Sequence, residues 1–215
     1  MISTAPSRMQ DVLEEAKSVL KEASNPEHRL GAYVILAITT GLRPEELRKL
    51  QWSAVDLDSA TLYVLRAQRH KDETKTRLSR RGLGMPDLAV EALRSLRTRQ
   101  AAERLRAGEE YADHDLVFCR ENGAPYDAPS VRWWFRKILK AAGLNAKEWC
   151  PRELRHTFVS IMSDHGVPIE KISLLVGHKD TKITETVYRH QLRPEIRDGA
   201  EHMNDIFGSK TTKSA

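Results

Sequence analysis

Apolar residues recur every three to four positions along most of the chain, which is the spacing of one helix face. After a first helix near the N-terminus, the pattern predicts a second helix from Pro26 to Thr40, with Asn25 as its N-cap, and a short third from Pro44 to Gln51. The apolar run from Leu30 to Leu42 is too short to span a bilayer, which needs about 20 apolar residues. We therefore expect a buried helix there and no membrane segment.

The period changes to two between Trp52 and Met85, where β-rich runs surround a turn at Asp58–Ser59 and a charged tip. This predicts a small three-stranded antiparallel sheet. Further helices are predicted over Asp87–Arg106, Asp127–Gly143, Pro151–Gly166, Pro168–Val176, Thr181–Arg189 and Pro194–Phe207. Together these elements predict one mostly helical α+β domain over residues 1–208, followed by a disordered tail at 209–215.

Composition adds a weak preference for an anionic partner. The 215 residues carry a net charge of +5. The two cysteines, Cys119 and Cys150, lack the spacing of a metal site and predict a reduced, cytoplasmic protein in which both are buried. The histidines form no metal-binding motif, and no glycine-rich phosphate loop is present in the sequence. We therefore expect neither a metal nor a cofactor.

Two arginines and a histidine in the stretch "PRELRHTFVS" raise the first question of chemistry. Arg152, Arg155 and His156 are three and four residues apart, so a helix brings them to one face. Such a face is often only solvated. Arginine nevertheless suits phosphate, because its planar fork donates two parallel hydrogen bonds and keeps its charge.

Three further stretches carry candidate chemistry, although each is ordinary alone. In "TGLRPEEL", Arg43 stands at a helix junction, and Glu46 three residues later can hold its guanidinium. Lys75 lies in the charged tip of the predicted sheet. His178 follows a glycine directly after a helix, and Tyr188 comes ten residues later.

The ordered combination of "TGLRPEEL", the hairpin lysine, "ELRHTFVS", "LLVGH" and the later tyrosine resembles the tyrosine recombinases of the phage-integrase family. The resemblance covers most of the chain. It implies that Tyr188 is a nucleophile that forms a 3′-phosphotyrosine link with DNA, and that Arg43 and Arg155 bind the nonbridging oxygens of the phosphate. It also implies that Lys75 is a general acid for the 5′ oxygen and that His178 supports the phosphate or the attacking oxygen.

One position departs from the family pattern, and two assignments have alternatives. Arg152 stands where the family most often has histidine; arginine cannot serve as a base at neutral pH, so we interpret it as a phosphate donor. Lys71 is the alternative to Lys75, which the pattern K-T-x-x-S-x-R favours. His156 is either structural or catalytic, and its place further along the helix favours a structural role.

The basic residues around the hairpin predict contacts with the DNA backbone. These are Arg69, Lys71, Arg77, Arg80 and Arg81. The resemblance further implies double-stranded DNA as partner, a homotetramer on DNA and a monomer alone, accessory DNA-bending proteins, and a nucleoid-associated location. The last helix is expected either to dock on a neighbouring protomer or to pack on its own domain. The N-terminal core-binding domain of the family is expected to be absent from this chain.

The leading interpretation is a site-specific recombinase or integrase that acts in the integration or excision of a mobile element. Two alternatives stay open. A recombinase-like module could bind DNA without cleaving it, and the residue Arg152 gives that interpretation some weight. An activity like that of type IB topoisomerases would use the same chemistry without ordered synapsis.

Overall fold

The computed structural model of the chain describes residues 5–68, 77–177 and 198–208. Within these residues most elements are helices, and three consecutive strands form one small sheet, as the sequence predicts. The helices are α1 (Ala5–Ala23), α2 (Gly31–Thr40), α3 (Pro44–Arg48), α4 (Asp87–Ala107), α5 (Ala128–Ala141), α6 (Glu153–Asp164), α7 (Ile169–Val176) and α8 (Asp198–Phe207). The strands are β1 (Val55–Asp56), β2 (Thr61–Gln68) and β3 (Arg77–Gly84).

Helix α2 is the centre of the core, because every one of its residues is buried. It packs against α1, α4 and α6, which place apolar faces around it. The prediction of a buried helix in the apolar run is confirmed. Among the described helices, none combines the length and the apolar character needed to cross a membrane.

The predicted start of α2 at Pro26 is wrong, since the helix begins at Gly31. Residues 25–30 form turns instead, tethered by side chains: His28 Nε2 lies 2.6 Å from Glu22 Oε1, and the Arg29 guanidinium binds Glu103. Gly31 then packs against the end of α1, where a Cβ atom would lie 2.0 Å from the carbonyl oxygen of Ala23. Tertiary contacts therefore override the local start signal.

The three-stranded antiparallel sheet is confirmed, with the order β1-β2-β3. Strands β2 and β3 form a long hairpin in which Thr61 pairs with Gly84 and Gln68 with Arg77. Leu62 and Leu83 are cross-strand partners, and both are buried in the core. This register fixes where the basic residues of β3 stand relative to the helices.

Helix α5 begins as predicted, since the Asp127 carboxylate accepts a hydrogen bond of 2.8 Å from the Ser130 backbone N–H. Phe135 is in the core, whereas Trp134 is only half-buried against it. The neighbouring Trp133 is 53% exposed, and the Lys137 ammonium lies 4.0 Å from its ring centroid.

Helix α8 packs on its own domain, against β3, α2 and α4. Met203 is fully buried, and the Asn204 side chain accepts a 2.7 Å hydrogen bond from the Asp87 backbone N–H. The described residues of this helix therefore pack within the chain, and docking on a neighbouring protomer stays a prediction. The predicted helix Thr181–Arg189 and the predicted tail lie outside the described residues.

The two cysteines differ in exposure. Cys119 is buried, as expected, whereas Cys150 is exposed in the turn before α6, so the prediction that both are buried is wrong for Cys150. Both are free thiols.

Candidate nucleic-acid active site

Arg155 lies on α6 at the point where the ends of two other helices meet. Its guanidinium donates a 2.6 Å hydrogen bond to the Gly41 carbonyl, just after α2, and a 2.7 Å hydrogen bond to the Val176 carbonyl, the last of α7. Carbonyls at helix C-termini lack intrahelical donors and carry partial negative charge, which a cation stabilises. The side chain is buried as a result.

Arg43 reaches the same place from the start of α3. Its Nη1 donates to Glu46 Oε1 at 3.1 Å, and its Nη2 donates to the Gly177 carbonyl at 3.0 Å. The prediction that Glu46 holds this guanidinium is confirmed. The two arginines thus bind the adjacent carbonyls of Val176 and Gly177, so the structure brings them together although they are far apart in sequence.

Two glycines make this convergence sterically feasible. Gly41 and Gly177 end α2 and α7 in the left-handed region, with φ of 64° and 66°. A Cβ atom on Gly41 would lie 2.5 Å from Cδ1 of Phe158 on α6, so glycine also allows α2 and α6 to approach closely. Glycine is therefore needed at Gly41 for both the turn and the packing.

Arg81, on β3, occupies the other side of Glu46. Its Nη2 lies 3.2 Å from Glu46 Oε2, and the side chains of the two residues are 16% and 12% exposed. The charge pattern of the hairpin predicts Arg81 on the DNA backbone and does not predict this internal ion pair. The ion pair between Arg81 and Glu46 follows from the register of β3, which only the folded structure shows.

The carboxylate of Glu46 is charged because of its neighbours. Burial alone raises its pKa, but the Arg81 guanidinium, together with the backbone N–H and guanidinium of Arg43, outweighs that effect. The pKa of Glu46 is consequently held below its ordinary value of 4.5. A charged Glu46 can then fix both arginines.

Arg152 and His156 differ from Arg155 in exposure. Helix α6 begins at Glu153, with Arg152 as the N-cap residue, and both Arg152 and His156 are exposed. The predicted helix start at Pro151 is therefore two residues early. Only Arg155 of the three turns into the protein.

The remaining predicted site residues lie outside the described residues. They are Lys75, His178 and Tyr188, together with the predicted DNA contacts Arg69 and Lys71. Arg77 and Arg80 are described by their backbone only, as members of β3. Their proposed roles stay predictions.

The described part of the site is a cationic cluster built by three chain segments, in which Arg43 is partly exposed and Arg155 is buried. It offers guanidinium groups that suit a phosphate, and the carbonyls and Glu46 fix those groups in place. Among the residues that the structure describes, no group of three histidine, cysteine, aspartate or glutamate side chains is arranged to hold a metal ion.

Comparison with known proteins relates this arrangement to one family. The profile of the phage integrase family matches residues 9–194. An integrase from Streptomyces ambofaciens is 47% identical over 203 residues, which cover 90% of this chain and 52% of that protein. The chain spans about half the length of the curated relatives it matches.

Solved structures agree on the fold. The XerA recombinase is 28% identical, with a TM-score of 0.59 over 89% of this chain and 62% of that one. The XerH site-specific recombinase, in a pre-cleavage complex with its difH substrate, has a TM-score of 0.56 at 17% identity, covering 82% of this chain and 51% of that one. At that identity the second likeness concerns the fold alone.

Proposed function

Because the chain belongs to the phage integrase family, we propose that it is the catalytic domain of a site-specific recombinase that cuts and rejoins DNA. The convergence of Arg43 and Arg155 at the ends of α2 and α7 carries this proposal. Two fixed guanidinium groups suit the two nonbridging oxygens of one phosphodiester. A relative named integrase supports integration or excision of a mobile element as the setting.

The proposed reaction begins at Tyr188. Its hydroxyl oxygen attacks the phosphorus, and the new bond replaces the bond between phosphorus and the 5′ oxygen. Lys75 donates the proton that this oxygen takes up as it leaves as a hydroxyl. The proton of the tyrosine passes to solvent water, since the Arg152 guanidinium keeps its own protons. Rejoining is the reverse reaction, so the phosphodiester energy is conserved and no nucleotide is hydrolysed.

The arginines accelerate both directions because they act on charge that grows during the reaction. A phosphorus with five oxygen neighbours carries more negative charge than the starting diester, so fixed cations stabilise it more than the ground state. In many phosphoryl transfers Mg²⁺ has this role. In this proposal Arg43, Arg155, Lys75 and His178 take it.

Double-stranded DNA is the proposed partner. XerH, a structural neighbour, is a recombinase bound to its DNA substrate, which supports this assignment. We further propose a monomer that assembles as a homotetramer on DNA, with DNA-bending proteins as accessory factors. The cationic stretch that includes Arg77 and Arg80 is proposed to contact the backbone of the duplex.

A covalent-adduct assay tests the activity. The chain is incubated with nicked suicide duplexes whose central segment is randomised, and adducts are sought on a denaturing gel. We expect an adduct that is lost in Tyr188→Phe, kept in Tyr63→Phe on β2, and unaffected by a metal chelator.

Two results would contradict the proposal. DNA binding without an adduct would favour the non-cleaving module. Relaxation of supercoiled plasmid with no preferred sequence would instead favour an activity like that of type IB topoisomerases.

A further inference from the structure

The Glu46 carboxylate stands between two arginines from different elements. Arg43 binds it from the start of α3 through its guanidinium at 3.1 Å and its backbone N–H at 2.9 Å. Arg81 binds it from β3 with both Nη atoms, at 3.2 Å and 3.5 Å. The Arg43 side chain is 32% exposed, against 16% for Arg81, so Arg43 faces the solvent and Arg81 lies deeper.

The charges of this group decide what Arg43 offers to a ligand. Arg43 and Glu46 alone would neutralise each other, whereas Arg81 adds a second positive charge and leaves the three residues with a net charge of +1. In a site sheltered from water such charges interact strongly. Arg81 therefore compensates Glu46 while Arg43 keeps its attraction for an anion.

Arg81 also contacts the backbone at the end of α7. A Cβ atom on Gly177 would lie 1.9 Å from Arg81 Nη1, so the guanidinium occupies the space beside that glycine. The Gly177 carbonyl in turn accepts the hydrogen bond from Arg43. Arg81 thus touches both anchors of Arg43, the carboxylate of Glu46 and the residue Gly177.

We propose that Arg81 is a positioning residue of the active site: it compensates the charge of Glu46 and packs on Gly177, so that Arg43 is fixed in place and available to the DNA phosphate. The inference rests on the proposed function. It assigns Arg81 an internal role in place of contact with the DNA backbone. It also links β3, which begins two residues after Lys75 in the sequence, to the helix ends that hold Arg43.

Single-turnover cleavage tests this role, on a duplex whose sequence is read from the DNA in the covalent adducts of the suicide-duplex assay. We expect Arg81→Gln to lower the cleavage rate constant about a hundredfold, since a misplacement of about 1 Å can have that effect. The apparent Kd for the duplex should change less than about threefold, because Arg81 does not contact DNA in this account. Arg81→Lys, which keeps the charge but loses the fork, should recover about tenfold of the rate.

Arg104→Gln is the matched control. Arg104 also forms an ion pair with a carboxylate, Asp113, at 2.6 Å, but on the exposed end of α4. Its loss should leave both the rate constant and the Kd unchanged.

The outcomes separate this inference from the proposed function. Cleavage by Arg81→Gln at the wild-type rate, or a loss that appears only in the Kd, overturns the positioning role and leaves the recombinase assignment intact. Absence of cleavage by the wild-type chain overturns the proposed function and this role with it.

A double-mutant cycle tests the packing contact without relying on catalysis. Gly177→Ala adds a methyl group beside Arg81 and strains the left-handed turn, whereas in an Arg81→Ala background only the strain remains. We expect Gly177→Ala to lower the unfolding midpoint more in the wild-type chain than in the Arg81→Ala chain. Equal shifts in both backgrounds would contradict the contact on which the inference depends.

Discussion

Arg155 holds the ends of two helices together with a single side chain. Its guanidinium donates hydrogen bonds to the Gly41 and Val176 carbonyls. The same group that is proposed to bind phosphate therefore also holds the ends of α2 and α7 against α6. A substitution of Arg155 is therefore expected to lower both the stability of the fold and the proposed activity. A variant that loses activity here needs a stability measurement before the loss is assigned to chemistry.

Replacing Arg155 should be costly for that reason. Arg155→Ala leaves two carbonyls at helix ends without this donor, and an unsatisfied buried polar group costs about 1–3 kcal/mol. We expect the free energy of unfolding to fall by about 2–5 kcal/mol in urea titrations. Arg152→Ala is the control, because Arg152 is exposed three residues earlier and should change stability by less than about 0.5 kcal/mol. Equal losses for the two variants would contradict the bridging role.

Glu46 should make stability depend on pH. Its pKa in the folded state is below the ordinary value of 4.5, so the unfolded chain binds the proton more readily. The stabilisation is therefore present above that value and is lost as the pH falls through the lower folded pKa. We expect wild type to exceed Glu46→Gln in unfolding free energy at about pH 7 and the difference to shrink at about pH 3. A difference that is the same at both pH values would refute this.

At the residue scale the sequence predicts the arginines better than their partners. Arg43 and Glu46 are three residues apart, so their ion pair follows from local spacing. Arg81 is remote from Glu46 in sequence, and its contact depends on the register of β3 against the helices. The burial of Arg155 likewise depends on carbonyls that only the fold brings to it.

At the scale of elements, α2 and α6 pack unusually closely where Gly41 ends α2. The left-handed backbone and the short distance to Phe158 are two separate demands on this residue. Helix ends marked by glycine, such as those at Gly41 and Gly143, are predictable from sequence, since the residue type itself signals the turn. The start of α2 is not: the Asn25 side chain accepts a hydrogen bond from the Glu27 backbone N–H at 3.0 Å, but side-chain contacts with α1 and α4 hold the following residues in turns.

Alanine at two glycines separates those two demands. Gly143 also has a left-handed backbone, with φ of 77°, but nothing lies within 4 Å of its would-be Cβ atom. Gly143→Ala should therefore cost only the backbone term, about 1–2 kcal/mol. Gly41→Ala adds the clash with the Phe158 ring and should cost more in thermal and urea unfolding. A Gly41→Ala variant as stable as Gly143→Ala would contradict the close packing of α2 on α6.

At the scale of the whole molecule, this chain spans about half the length of its curated relatives. In the proposed function, each DNA phosphate that the chain neutralises contributes to affinity through the release of counterions. The net charge of +5 favours association with DNA without specifying a sequence. DNA binding by this chain should accordingly be electrostatic and should weaken as salt is added.

Gel shifts at two salt concentrations measure that property. We expect affinity for a duplex to fall about tenfold or more between about 50 mM and about 200 mM salt, as for a few phosphate contacts. Tight binding that does not change with salt would contradict the prediction.

The rate at which an Arg43 variant cleaves DNA tests the central claim most directly. That claim is that Arg43 and Arg155, fixed at the ends of α2 and α7, bind the phosphate that is cut. Arg48 is the matched comparison, since it lies on α3 beside Arg43 but binds Glu45 and the Tyr126 carbonyl. In single-turnover cleavage, Arg43→Gln should lower the rate constant at least about a hundredfold, the scale for losing one donor to a transition-state oxyanion, while Arg48→Gln stays near wild type. Wild-type cleavage by a folded Arg43→Gln chain would contradict the account.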